Sequence, residues 1–269
     1  MFWRVSLIFG IDEVGKGPLA GPVCIGIVAL DSSKEIIGLK DSKKLSEKKR
    51  EELSHEIKEN AAYTDTLFIE KDVIDKINIK NATIKGMEDI ILNIPPSYKP
   101  TEILIDGNEV INTSYKYQSI IKGDETEQSI MAASIIAKVE RDKKMKELDK
   151  KFPMYGFASH KGYGTKEHIE AIKIYGPCVH HRESFKPIKG FDISAIEAFD
   201  IHEKRLIVRD LLINKSDDEI KEVLTSLIEK ANLMSEKKMD IEIERIDKIK
   251  KLLNEEWIFA KEVSKKRGF

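Results

Sequence analysis

Short β-branched runs bounded by glycine or proline alternate with helical periods over roughly the first 190 residues, and beyond that point only helical periods remain. Residues 5–11 and 23–30 are such runs and read as buried strands. Residues 63–69, 101–105 and 118–122 supply three more. Ser46 is placed to cap a helix that runs to about residue 60, with Leu53, Ile57 and Ala61 along one face. A helix from about 72 to 94 stops at Pro95-Pro96, and a long one, about 126–150, begins just after Asp124. These elements bury their apolar faces as a mixed five-stranded sheet flanked by helices, so the fold class is α/β. In such sheets ligand sites gather at strand ends.

After residue 190 the pattern is helical throughout. Ser216 and Glu219 match a capping box, followed by Ile220, Val223, Leu224, Leu227, Ile228 and Ala231 on one face. Ile246, Ile249, Leu253 and Trp257 repeat that spacing. The expected organisation is a main domain over residues 1–189 and a C-terminal helical accessory region over 190–269, packed on it.

With 46 Lys and Arg against 47 Asp and Glu, the net charge is -1, which gives no overall attraction to polyanions. A nucleic-acid site must then be a local basic patch. Charged residues make up 35% and hydrophobic ones 41%, a balance that suits a globular chain and not a disordered one. Only Cys24 and Cys178 are present, so no disulfide framework is expected and a reducing cytoplasm fits. The apolar N-terminal run meets Asp12 and Glu13 before any signal-cleavage pattern, and no stretch approaches the roughly 20 apolar residues of a membrane span. The reading is a soluble, monomeric protein without a membrane partner.

Three segments place carboxylates at the ends of elements. Asp12 and Glu13 close the first apolar strand, where an unpaired buried charge is costly and a metal is one way to pair it. Neighbours on a regular strand point to opposite faces, so these two converge only if the chain turns there, as Gly15 and Gly17 permit. Asp106 ends a second strand before Gly107, and Asp124 starts a helix. Each has an ordinary alternative: an exposed strand end, an Asp-Gly turn, a helix cap. Taken together, with no His or Cys cluster nearby, they suit oxygen ligation of hard Mg2+ or Mn2+.

The motifs Asp12-Glu13-x-Gly15-x-Gly17-Pro18-x-x-Gly21-Pro22, Asp41-Ser42-Lys43-Lys44-Leu45, Ile105-Asp106-Gly107 and Lys122-Gly123-Asp124 are followed by three others. These are Ala132-Ala133-Ser134-Ile135-x-Ala137-Lys138-x-x-Arg141-Asp142, His160-Lys161-Gly162-Tyr163-Gly164-Thr165 and His181-Arg182-x-Ser184-Phe185. In this order they resemble the motifs of the ribonuclease HII family. The resemblance implies a ribonuclease H-like fold and an endonuclease that hydrolyses the RNA strand of RNA–DNA hybrids. It also implies incision 5′ of ribonucleotides embedded in duplex DNA, leaving 5′-phosphate and 3′-hydroxyl ends. Family catalytic carboxylates map onto Asp12, Glu13, Asp106 and Asp124, which hold two divalent ions about 3.5–4 Å apart. Gly15, Lys16 and Gly17 map onto the element that approaches the ribose 2′-hydroxyl, Lys43 onto a phosphate contact, and Tyr163 onto the tyrosine that senses an RNA–DNA junction.

The chain departs from that pattern at Lys16, where many members carry arginine, and at Glu125 and Glu127, whose charge either tightens metal binding or repels phosphate. Arg141-Asp142 reads first as an exposed helical pair, with an accessory metal contact as the alternative for Asp142. His160, His168, His180 and His181 do not have the spacing of a compact zinc site. Ala132, Ala133 and Ala137 read as small residues that let the long helix approach the sheet. An NTPase loop is excluded because no Ser or Thr follows Gly15-Lys16 to supply the hydroxyl. A binding module without catalysis needs no set of four carboxylates. The related type HIII enzymes carry an extra N-terminal domain, for which Asp12 lies too near the start.

Overall fold

The computed structural model describes residues 7–175 and 177–189; the expected helical region at 190–269 lies outside the described residues. The sheet contains β1 (Leu7–Val14), β2 (Val23–Ala29), β3 (Tyr63–Ile69), β4 (Pro100–Asp106) and β5 (Tyr117–Ile120), in the order β3-β2-β1-β4-β5. β1 is antiparallel to β2, which is antiparallel to β3, whereas β4 runs parallel to both β1 and β5. The central strand is therefore β1, and the parallel half of the sheet brings the C-terminal ends of β1 and β4 side by side.

Helices α1 (Glu47–Asn60), α2 (Lys71–Ile77), α3 (Ile79–Leu92), α4 (Gly123–Thr126), α5 (Gln128–Lys151), α6 (Phe157–His160) and α7 (Lys166–Tyr175) complete the described residues. None of these is long and apolar enough to cross a membrane. Alternation along the strands sends Phe9, Ile11, Ile25, Ile27, Ile103 and Ile105 to one core with Met87, Ile90 and Ile91 of α3. The opposite face packs Val28 against Leu53 and Ile57 of α1 and Ala132, Ala133 and Ile136 of α5. α5 lies almost on the backbone of the sheet. A Cβ on Gly10 would stand 2.2 Å from the Ser129 carbonyl carbon, and one on Gly26 would stand 2.4 Å from the Ala133 oxygen. The alanines of α5 do let it approach, and glycines in the strands meet it.

One expected helix is broken, and the other, expected over about 126–150, is α5. The segment expected as one helix over 72–94 is α2 and α3, divided at Asn78, which has φ 66° and accepts a hydrogen bond from the Asn81 N–H at 3.0 Å. Asparagine tolerates positive φ and caps the helix that follows, so an apolar period can run on while the backbone does not. The long helix expected from 126 is preceded by the single turn α4, entered from Lys122 at φ 59°. Asp124 thus lies inside a helical turn.

Candidate active site

β1 does not bend between Asp12 and Glu13. Asp12 pairs with Gly26 and Glu13 with Ile25, and the first positive φ is at Gly15, 107°. The two carboxylates consequently leave the strand on opposite faces, contrary to the expectation of a turn that brings them together. Asp12 faces α5, where the nearby Ser134 hydroxyl eases its charge, and Glu13 faces away, with Lys16 Nζ 2.7 Å from its Oε1. The pairing of Ile11 with Ile105 sets Asp106 beside Asp12 on the same face. Asp124 arrives from α4, and its backbone N–H donates to Asp106 Oδ1 at 3.3 Å.

Asp12, Asp106 and Asp124 each offer an oxygen within 4.8 Å of the others, the only such group of three among the described residues. Glu13 stands outside this trio, and its Oε2 is buried without a hydrogen-bond partner. Burial, with the charges of Glu13 and Asp106, holds Asp12 well above the usual carboxylate range. Burial also raises Glu13 against the opposing pull of Lys16, and raises Asp106, to which the Asp124 charge adds. Negative charges pressed together in a partly dry place call for a cation. An all-oxygen donor set and an orphaned buried carboxylate oxygen fit a hard divalent ion.

The glycine-rich turn is held by two buried arginines. Arg182, fully buried, donates to the carbonyls of Gly15 at 2.7 Å, Lys16 at 2.9 Å and Gly21 at 2.9 Å. Arg141, also fully buried, donates to Pro22 at 2.9 Å, Ala20 at 3.3 Å and Lys161 at 3.0 Å. Their pairing with backbone oxygens in place of carboxylates leaves positive charge under the turn. Gly15 is needed for a further reason: a Cβ there would lie 2.2 Å from Arg141 Nε. The exposed Arg141-Asp142 pair expected from the sequence is thus corrected, since both residues are buried. Asp142 pairs with Lys138 at 2.7 Å and is not among the three gathered carboxylates.

Tyr163 is 43% exposed, and its ring stands 3.6 Å from where a Cβ on Gly17 would be. Lys43 Nζ lies 3.2 Å from Asp124 Oδ2 at the rim of the trio. Glu125 is engaged by Lys44 at 3.3 Å, so part of its extra charge is countered locally. Ser42 Oγ is 2.9 Å from Ser134 Oγ, which links the Asp41-Ser42-Lys43-Lys44 segment to the support of Asp12. Among the described residues the histidines form no metal group; His168 and His181 meet through their Nε2 atoms at 3.1 Å in an aromatic box. Cys24 and Cys178 are buried and unpaired.

Ser134, Arg141 and Arg182 lie within the motifs quoted from the sequence, but the sequence reading gave none of them a role at the site. Arg141 had a usable signal, because Ala133, Ala137 and Arg141 follow one another at four-residue steps on the buried side of α5. Nothing periodic marks Arg182.

A family model described as ribonuclease HII matches residues 9–188. The ribonuclease HII of Bacillus cytotoxicus is 52% identical over 185 residues, covering 69% of this chain and 70% of that protein. That of Caldicellulosiruptor bescii is 49% identical over 179 residues, 66% and 85% of the respective chains. Among solved structures, the PCNA:RNase HII complex from Archaeoglobus fulgidus contains a chain with TM-score 0.59 and 30% identity, covering 67% of this chain and 95% of that one. Ribonuclease H2 from Pyrococcus horikoshii OT3 shares the fold at TM-score 0.57 and 24% identity, over 74% of this chain and 98% of that one. The match runs from the first site strand to the turn that follows Arg182, and the chain belongs to the ribonuclease HII family.

Proposed function

We propose that the chain hydrolyses the RNA strand of RNA–DNA hybrids and incises 5′ of ribonucleotides embedded in duplex DNA, leaving 5′-phosphate and 3′-hydroxyl ends. The observation that carries this reading is the meeting of Asp12, Asp106 and Asp124 from three separate elements. Those three, with Glu13 through its unpartnered Oε2, would hold two divalent ions, Mg2+ or Mn2+. Such ions supply an acidified water and positive charge at the leaving 3′ oxygen. The protein's own part is to orient the strand. With the Gly15 and Lys16 carbonyls taken by Arg182, the turn offers amide N–H groups to a ribose 2′-hydroxyl, the group that marks RNA. Lys43 meets phosphate, and the exposed Tyr163 ring stacks on the deoxynucleotide that follows a ribonucleotide.

Asp106→Asn is expected to abolish cleavage of a duplex carrying one ribonucleotide in Mg2+ while leaving substrate affinity nearly intact, because backbone contacts and not this carboxylate hold the strand. Retention of more than about a tenth of wild-type turnover, equivalent to a loss of under 1.4 kcal/mol, would remove Asp106 from the site.

A further inference from the structure

The backbone that carries Tyr163 is fixed at three successive carbonyls. Arg141 donates to the Lys161 oxygen at 3.0 Å, the Leu19 N–H to that of Gly162 at 2.8 Å, and His168 Nδ1 lies 2.9 Å from that of Tyr163. The third contact has a direction that can be worked out. The Cys178 N–H donates to His181 Nδ1 at 2.9 Å, so that nitrogen is an acceptor. The Cys178 oxygen, 3.3 Å from the same nitrogen, already accepts the His181 N–H at 2.9 Å. A neutral His181 therefore carries its proton on Nε2, which donates to His168 Nε2 at 3.1 Å. His168 then carries its own proton on Nδ1, where the Tyr163 oxygen waits. One protonation pattern satisfies the row, and it needs both rings neutral.

The surroundings favour that state. Both imidazoles are fully buried, Tyr155 lies 4.9 Å from the His181 ring, Phe157 lies 5.5 Å from His168, and His160 stacks on His168 at 4.3 Å. Burial pulls His168 down to about 4 and His181 to about 3.

We propose that His168 and His181 are positioning residues for substrate selection: a directed pair of neutral imidazoles that holds the Tyr163 backbone so that its ring stands beside Gly17. This rests on the reading of Tyr163 as the residue that meets the nucleotide after the ribonucleotide. Neither histidine touches substrate. Their effect is to keep an exposed ring on a backbone that does not move when the strand binds, which lowers the ordering cost of selection.

The test compares cleavage of a single-ribonucleotide duplex with cleavage of a continuous RNA–DNA hybrid in wild type, Tyr163→Ala, His168→Gln and the double variant. Glutamine reaches the Nε2 position and removes the imidazole donor from the Tyr163 carbonyl, which keeps only the Thr165 N–H at 2.8 Å. His168→Gln is expected to lower the single-ribonucleotide rate, relative to the hybrid rate, by about tenfold or more. The double variant is expected to match Tyr163→Ala, since both act through one ring. His168→Asn, whose amide sits where Nδ1–H was, is expected to recover most of the ratio. An unchanged ratio in His168→Gln, or additive losses in the double variant, overturns the inference while Tyr163→Ala still reports on Tyr163. A Tyr163→Ala protein with the wild-type ratio removes the reading of Tyr163 and the inference with it. Should His168→Gln fail to fold, 15N chemical shifts of the wild-type imidazoles decide. The expected result is Nδ1–H in His168 and Nε2–H in His181; either ring charged at about pH 7 or in the other tautomer overturns the inference.

Discussion

Asp12 is a buried carboxylate held against the charges of Glu13 and Asp106. Asp12→Asn keeps a group that can bond Ser134 and removes the charge, so the metal-free protein is expected to melt a few degrees higher. For a domain of this size each 1 kcal/mol moves the melting temperature by about 2–4 °C. The further rise caused by adding Mg2+ should shrink, and a thermal melt with and without the ion reads both effects; a lower metal-free melting temperature would refute the strain argument. His168 and His181 make the opposite demand. Their folded values of about 4 and about 3 lie below the ordinary 6.5, so on acidification through that window the unfolded chain takes up more protons and stability falls. Acid also relieves the site carboxylates, so the histidine part is isolated as a difference. Between about pH 7 and about pH 5 the wild type should lose more melting temperature than His181→Gln, and equal losses would rule this out. Charges at the ends of apolar strands are anomalies, which is why Asp12 and Asp106 stood out in the sequence. Arg141 did not, because an Arg-Asp pair in a charged helix looks like a solvated surface, and only contact with loops more than a hundred residues earlier gives its charge something to do.

At the level of elements, the seat of α5 on the sheet decides the geometry of the site. Gly10 and Gly26 meet its backbone with no room for a methyl group, and Ser134 stands under Asp12 from the same helix. Gly10→Ala forces the helix outward, and a loss of about 3 kcal/mol, the upper end for overpacking, is expected in urea denaturation, with cleavage falling as Ser134 leaves Asp12. A midpoint unchanged from wild type would mean that the helix has slack. The β-branched runs made the strands readable, most plainly β2, which is buried at every position because both of its faces are covered. The break at Asn78 was not readable, because hydrophobic period reports which residues are buried and is blind to a single φ. The direction of Glu13 was missed for a related reason: the glycines that allow a turn are in the sequence, but β1 stays paired with β2 as far as Val14.

On the scale of the whole molecule, every residue assigned to chemistry lies before Ile193, and a chain ending there is expected to keep hydrolysis while losing affinity or melting temperature. The apolar stripes expected from the sequence at Ile220 and Ile246 would need a surface to bury against. Identical rate, affinity and melting temperature in the shortened chain would make residues 194–269 dispensable. The near-neutral net charge adds that strand capture depends on where the lysines lie and not on overall attraction. α5 also touches both halves of the enzyme's task, through Ser134 beneath the carboxylates and Arg141 beneath the glycine turn and the tyrosine loop. Seven residues separate them, two turns of helix and roughly 10 Å along its axis. On the proposed function, that span would act as a ruler between the turn that meets the ribose and the carboxylates where the phosphate is cut. A single residue inserted between Ser134 and Arg141 would swing one anchor about 100° around the axis, so this helix can drift in sequence yet cannot change in length without losing count of which bond to cut.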